Sequence, residues 1–473
     1  MDEARQKGVH PAPRAHAAAI RGLTLRPHAP AVFAMHEPPK SQPKSQPAKP
    51  GPGPSAATAW VLLDWAASGF STVLITLIVT YVERVAFAEG AWGMPAGVVW
   101  AWTLAAAMLA AGMIAPFLSA LADRTDGHQR ALIASVIAGA GGLFVLAATP
   151  PGLRVGVVAA IILANVGFDM AAIFTGSLLP RIAGGAAADR LSARGFAAGY
   201  AGGAVALVVA TLLATGHARL GLSAAGGLRA GFLFTGCWWL LFSLPAAVAR
   251  FGSARSATHA ATSAGELLAF AASLVRTTPT DGTRPLAAVL AGAVLVLGAV
   301  QTAIAQFSSV ALAEFQLAGP ALVRLVLLVQ LVALPGALLI GSLAARVSRR
   351  WATGVCLAGW IAVLLLAGWV RTVAQLHALA VLLALVLGGI QSVLRAAVAD
   401  AAPEGRAGAT FGLLQVGTKL AGAAASLGFG AAYQLSGSPR SGLVLLAAQM
   451  ALGWWALRRC GDPSSHSACH RVR

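Results

Sequence analysis

Charge is what this chain has least of. Asp, Glu, Lys and Arg make up 11% of its 473 residues, against roughly 25% in a soluble domain. A protein dissolved in water needs a polar coat, and this chain has too little charge to make one. With 58% hydrophobic residues and a mean hydropathy of +0.75, it suits a solvent of lipid tails, where no such coat is needed. Acidic residues are the scarcest, 16 against 34 Lys and Arg, which leaves a net charge of +18. In a soluble chain that excess would point to nucleic acid. Here the basic residues stand between apolar runs, so membrane topology explains them and no nucleic-acid partner is expected. Cysteine is limited to Cys237, Cys356, Cys460 and Cys469. None has metal-ligand spacing, so neither a disulfide framework nor a metal site is expected. A Walker loop, a His-Glu-x-x-His helix and a Gly-x-Ser-x-Gly elbow are also missing. Their absence argues against ATP drive and against the hydrolytic chemistries those motifs carry. No cofactor is expected, and the chain does not read as an enzyme.

What the sequence does have is length in its apolar runs. Residues 1–57, rich in Pro, Ala and basic side chains, read as a disordered, basic, cytoplasmic tail, with Met35 an alternative start. From Trp60 onward, runs near 60–82, 97–121, 131–149, 153–178, 195–215 and 229–249 are long enough to cross a bilayer. Six more follow near 286–312, 321–343, 352–370, 376–399, 408–432 and 441–457. The expected fold is therefore all-α and polytopic. Two six-helix bundles, 58–249 and 286–457, are joined by a cytoplasmic loop at 250–285, and 458–473 forms a cytoplasmic tail. Within the loop, the stretch at Gly265-Glu266-Leu267-Leu268 suits either a helix lying on the membrane or a plain linker. The 53 Gly allow membrane helices to approach closely.

The basic residues set the expected orientation. With both termini on one side, 25 of the 34 Lys and Arg fall on that side and six, Arg84, Arg154, Arg219, Arg229, Arg371 and Arg440, on the other. The positive-inside bias puts the termini in the cytoplasm. The high Ala, Gly and Arg content suggests a GC-rich bacterium and hence its inner membrane.

Charges inside spans are costly, at least about 2.5–3.5 kcal/mol at mid-bilayer, so each invites a function. Asp169 and Lys419 fall near the midplane. Asp169 suits a coupling or substrate-binding carboxylate, or else a packing carboxylate satisfied by a neighbour such as Asn165. Lys419 could pair with it or hold an anionic substrate group. Asp64 and Arg395 lie about 6 Å from the ends of their spans. Arg324, near the end of its span, is expected to snorkel. Gln301, Gln306 and Gln391 are plausible cavity donors, whereas Trp65 and Tyr200 suit packing or interfacial positions.

A six-plus-six chain should consist of two related halves. Ser119–Arg130, reading SALADRTDGHQR, and Gly341–Arg350, reading GSLAARVSRR, occupy the same loop of each half. The first resembles the Gly-x-x-x-Asp-Arg-x-Gly-Arg-Arg signature of the major facilitator superfamily at Asp123, Arg124, Gly127 and Arg130. The second has Gly341, Arg346, Arg349 and Arg350 but Ala345 where Asp is expected. The resemblance implies that Asp123, with Arg124 beside it, latches the halves when the site faces outward.

Three further segments resemble the Atg22-like vacuolar effluxer family and its bacterial UMF1 members. Leu63-Asp64-Trp65-Ala66-Ala67-Ser68-Gly69-Phe70-Ser71-Thr72 is similar to that family's Tyr-Asp-Trp-Ala-Asn-Ser-Ala-Phe-Ala-Thr. Ser192–Gly203 opens span 5 in the family manner. Gly388-Gly389-Ile390-Gln391-Ser392 with Arg395, Phe411-Gly412 and Lys419 follows its pattern in spans 10 and 11. Leu63, Ala67, Thr175, Gly176 and Leu394 depart from it, mostly by losing polar groups, so the substrate can differ from that of relatives. The resemblance implies a secondary active transporter working by alternating access on a small polar solute such as an amino acid. Protons would be the coupling ion, the lipid bilayer its medium and a monomer its working form. It also implies that spans 1, 4, 7 and 10 line a central cavity; Asp64 and Arg395, from opposite halves at similar depth, are then expected to pair, as a cytoplasmic gate when the site faces outward or as a static structural pair. A non-transporting sensor or assembly factor on the same fold and an intramembrane enzyme are the rival readings.

Overall fold

The computed structural model describes residues 55–183, 186–252, 286–317, 319–403 and 406–459, together with 265, 269 and 271–274. The N-terminal tail up to residue 54, most of the central loop with its amphipathic stretch, and the segment from residue 460 onward lie outside the described residues. Among the described residues, twelve long helices make up the fold. They are α1 (Ala56–Ala86), α2 (Ala96–Thr125), α3 (His128–Ala148), α4 (Arg154–Ile182), α5 (Ala186–Thr215), α6 (Ala224–Val248), α7 (Leu286–Phe315), α8 (Gly319–Arg346), α9 (Arg349–Leu366), α10 (Val373–Ala401), α11 (Ala407–Ser436) and α12 (Pro439–Arg459). No strand occurs among the described residues. In lipid, a helix satisfies its own backbone groups, which is why apolar runs of this length take that form. Ten of the helices are long and apolar enough to cross a membrane by themselves. The remaining two, α11 and α12, pack against α2 and α7.

The helices overrun the apolar runs from which they were read. A 30-residue helix such as α2 or α7 is about 45 Å long, against a hydrocarbon thickness of about 30 Å. The extra turns end on polar caps. Ser55, Ser223 and Ser348 accept from the backbone N–H three residues on, and Thr372 with Gln375 forms a capping box. The largest correction falls in α1, which continues to Ala86 through two π-helical turns at Leu74–Ile78 and Val82–Ala86. Glu83 and Arg84, expected in a loop, are therefore helical.

An even number of helices places residues 55 and 459 on one face, the terminal face; the opposite one is the far face. Within the first half, α1 lies on α5 and α6, and α3 on α4 and α6; within the second, α8 lies on α10, and α7 on α11 and α12. The halves meet where α2 packs on α11 and α5 on α8. Large apolar side chains such as Leu331, Val248 and Phe117 remain exposed on the outside, as expected of a lipid-facing surface. Trp65 is a packing residue: its ring stacks on Trp238 of α6 at 5.6 Å, beside Phe242.

The internal repeat is visible at the helix ends. On the far face, Arg229 at the start of α6 donates to the Ala147 carbonyl at the end of α3. Its counterpart Arg440 at the start of α12 donates to the carbonyls of Gly368 and Val370 beyond α9, at 2.8 and 3.0 Å. Both cap carbonyls that helix termini leave open. With Arg84, which donates to the Leu312 carbonyl at 3.0 Å, they account for three of the six basic residues that run against the positive-inside bias. On the terminal face, Asp126 pairs with Arg181 at 2.6 Å in the first half, and Arg349 pairs with Asp400 in the second. The repeat thus keeps the bridge and reverses its polarity. Because Asp126 is 61% exposed, Asp126→Ala should lower stability by no more than about 1 kcal/mol, measured by thermal unfolding in detergent.

Candidate functional site

Three side chains singled out in the sequence meet at the junction of the halves. The Lys419 ammonium donates to Asp169 Oδ1 at 2.6 Å and to Gln301 Oε1 at 3.2 Å. Asp169 stands mid-way along α4 in the first half; Gln301 and Lys419 stand mid-way along α7 and α11 in the second. Helix geometry alone sets their depth, because these positions are the midpoints of membrane-crossing helices. Gly112 of α2 makes room for the lysine stem: a methyl group there would stand 3.3 Å from Lys419 Cβ. The Asp169 and Lys419 side chains are 12% and 19% exposed, so the pair is largely withdrawn from solvent. Asn165, the neighbour considered for Asp169, instead donates to the Ile161 carbonyl of its own helix at 3.0 Å.

A cavity of about 250 Å³ lies between the halves, and none of the three tie residues lines it. Asp64, Ser68 and Ser71 of α1 and Tyr200 of α5 line it from one side; Gln330 of α8 and Phe307 of α7 line it from the other. Toward the far face, the halves are held together by hydrogen bonds in addition to that of Arg84. Trp100 donates to the Ala305 carbonyl at 3.1 Å, Ser426 to that of Ala101 at 2.7 Å, and Gln434 to that of Gly93 at 2.9 Å.

The other expected site residues are placed differently. Asp64 faces the cavity and forms no ion pair with Arg395, which is exposed on α10. Gln391 is half-buried on the same helix. Gln306 is fully buried and donates to Ser426 Oγ at 3.3 Å, inside its own half. Asp123 pairs at 2.9 Å with His128, which in turn contacts Ser177 at 3.0 Å, so this part of the loop is tied to α4 of the same half. Arg124 is exposed. The surroundings of Gly341 and the side chain of Ala345 lie outside what the structure describes.

Sequence reasoning passed over two groups. Ser68, Ser71 and Gln330 line the cavity, and the first two stand one and two turns after Asp64, which could have marked them. Glu83 has a buried carboxylate oxygen with no hydrogen-bond partner. Glu83, Ser309 and Tyr433 all converge on Gly97. Because the apolar run ends at Val82, no sequence signal carried the helix on to Glu83.

Two six-helix halves related by an internal repeat, with a charged tie at mid-depth and a cavity between them, define the transporter fold of the major facilitator superfamily. The family model for the Atg22-like vacuole effluxer matches residues 98–460, and the chain belongs to that family. The matched residues begin after the α1 motif. A curated relative, the uncharacterized MFS-type transporter YxiO of Bacillus subtilis (strain 168), is 24% identical over 400 residues, covering 84% of this chain and 92% of its own. Two solved structures share the fold. The nucleoside transporter NupG has a TM-score of 0.62 at 15% identity, covering 86% of this chain and 98% of its own. The xylose transporter XylE from E. coli, in an inward-open conformation, has 0.63 at 16% identity, covering 85% and 95%.

Proposed function

We propose that this protein is a secondary active transporter that carries a small polar solute, amino acids foremost, by alternating access coupled to protons. The observation that carries this reading is the Asp169–Lys419–Gln301 tie, which joins the two halves at mid-depth. Alternating access needs a link that holds in one state and lets go in another. An ion pair withdrawn from water meets that need, because a proton on Asp169 or an anionic group at Lys419 removes its electrostatic reason to hold. The charge bias supports a terminal face in the cytoplasm of an inner membrane.

Protein reconstituted in liposomes and screened against amino acids should accumulate solute only when a pH gradient is imposed. In Asp169→Asn that dependence should vanish. Uptake by Asp169→Asn with an unchanged pH profile would contradict the coupling role.

Asp64 and Arg395 are proposed to pair at the terminal-face gate when the cavity faces the far side. Transport lost in Asp64→Arg and in Arg395→Asp should return in the double exchange; no recovery would contradict the pairing. The same measurement separates transport from the rival of a non-transporting sensor on this fold.

A further inference from the structure

The cavity has a chemistry of its own, distinct from the tie: Asp169, Lys419 and Gln301 do not line it. Asp64 reaches into it without a hydrogen bond or ion pair to any described residue, and no Lys, Arg or His is among the cavity's lining side chains. Asp64 is half-buried, and a cation entering the cavity meets a carboxylate that no lining side chain neutralises. Ser68 and Ser71 stand one and two turns beyond Asp64 and add hydroxyl acceptors along the same face of α1. The opposite wall, from the second half, is apolar: Phe307, Val326, Leu383 and Leu387. One polar group interrupts it. Gln330 Nε2 is enclosed and has no acceptor, so a half-turn of its amide, which costs that nitrogen no hydrogen bond, brings the donor to the cavity for a bound carbonyl. The volume of about 250 Å³ falls below the roughly 300–1,000 Å³ of drug-sized sites, so the occupant is of metabolite size.

The geometry points to the cavity as a site for a small apolar primary amine with a neutral carbonyl, of the kind found in an amino-acid amide or ester: the ammonium lies on Asp64, the carbonyl on Gln330 and the apolar body against the second half. This assignment rests on the transporter reading, and at this cavity it puts a neutral amino-acid derivative in place of the free amino acid named there. A free amino acid fits less well, because its carboxylate would share the cavity with Asp64 and meet no cation.

The test uses the purified full chain and four probes: leucinamide, leucine, isoamylamine and 4-methylpentanamide. Leucinamide should raise the melting temperature most. Leucine should bind at least about tenfold more weakly and 4-methylpentanamide, which lacks the amine, should give no shift. Asp64→Asn should abolish the shift with both amines. Gln330→Leu, a milder change, should weaken leucinamide and leave isoamylamine unaltered. Equal binding of leucinamide and 4-methylpentanamide, retention of amine binding in Asp64→Asn, or equal loss of both amines in Gln330→Leu would each overturn the assignment. If leucinamide fails to bind while liposomes still accumulate another solute, the amine assignment falls and the transporter reading stands. If the liposomes accumulate no solute, the transporter reading itself falls.

Discussion

Lys419→Met should lower stability by about 3–5 kcal/mol and abolish transport. Removing one member of a buried pair leaves the other charged and unpaired, and the loss is chiefly the cost of that orphaned charge. Here the orphan is Asp169, 12% exposed and mid-way along α4. Asp169→Asn should cost a similar amount by stranding the ammonium, to which Gln301 still offers one acceptor at 3.2 Å. The double variant, Asp169→Asn combined with Lys419→Met, removes both charges together. Its stability should return to near the wild-type value, because two neutral groups of similar size no longer carry the desolvation cost. Transport should not return, since the switchable link is gone. Unfolding in mixed micelles, read beside liposome uptake, separates the two effects. A double variant destabilised by the sum of the two single losses would mean that the two side chains act independently.

Gly202→Val should prevent α5 from seating on α1 and leave little folded protein in the membrane. A single added Cβ at Gly202 would collide with the Trp65 carbonyl oxygen and lie 2.9 Å from its Cα. That contact is with backbone, so no side-chain rotation relieves it. Overpacking of this kind costs about 1–3 kcal/mol where neighbours can shift. Here the neighbours are poorly placed to do so. At Gly199 a Cβ would stand 2.7 Å from Ser68 Oγ, at Gly195 it would collide with Asp64 Oδ2, and Thr72 donates to the Gly203 carbonyl at 3.1 Å. The α5 glycines and the α1 motif are two sides of one close helix contact, the small-residue packing on which membrane helices depend. Gly176→Ala is the control: its Cβ would meet nothing within 4 Å, so expression and melting temperature should be unchanged.

The mid-span charges were the most legible part of the site. Asp169 and Lys419 stood out because little else in their spans is charged, and their matching depth follows from position along two helices. Gln301 was legible as a polar group on a span but not as the second acceptor for Lys419, because helix rotation is set by packing. Asp64 was noticed for its charge and assigned to a gate with Arg395. That pairing joins two residues from opposite halves, and in this conformation Asp64 faces the cavity. The role of Ser68, Ser71 and Gln330 depends on which faces of α1 and α8 turn toward one another, which periodicity cannot supply when every face is apolar. Glu83 was missed because hydropathy ends a span at the first charge, whereas the helix continues through π-helical turns. Arg229 and Arg440 looked like exceptions to the charge bias until their carbonyl partners at the ends of α3 and beyond α9 came into view.

The central claim is that two halves rock about the Asp169–Lys419 tie. Two distances test it, measured by pulsed electron paramagnetic resonance in reconstituted protein. Nitroxides on the exposed positions of Leu220 and Leu435 span the far face, and nitroxides on Leu121 and Val347, also exposed, span the terminal face. On moving from wild type to Asp169→Asn, the populations should shift in opposite directions, one face opening as the other closes. Two distances that stay single-valued and unchanged, in wild type and variant and at every pH, would contradict the account.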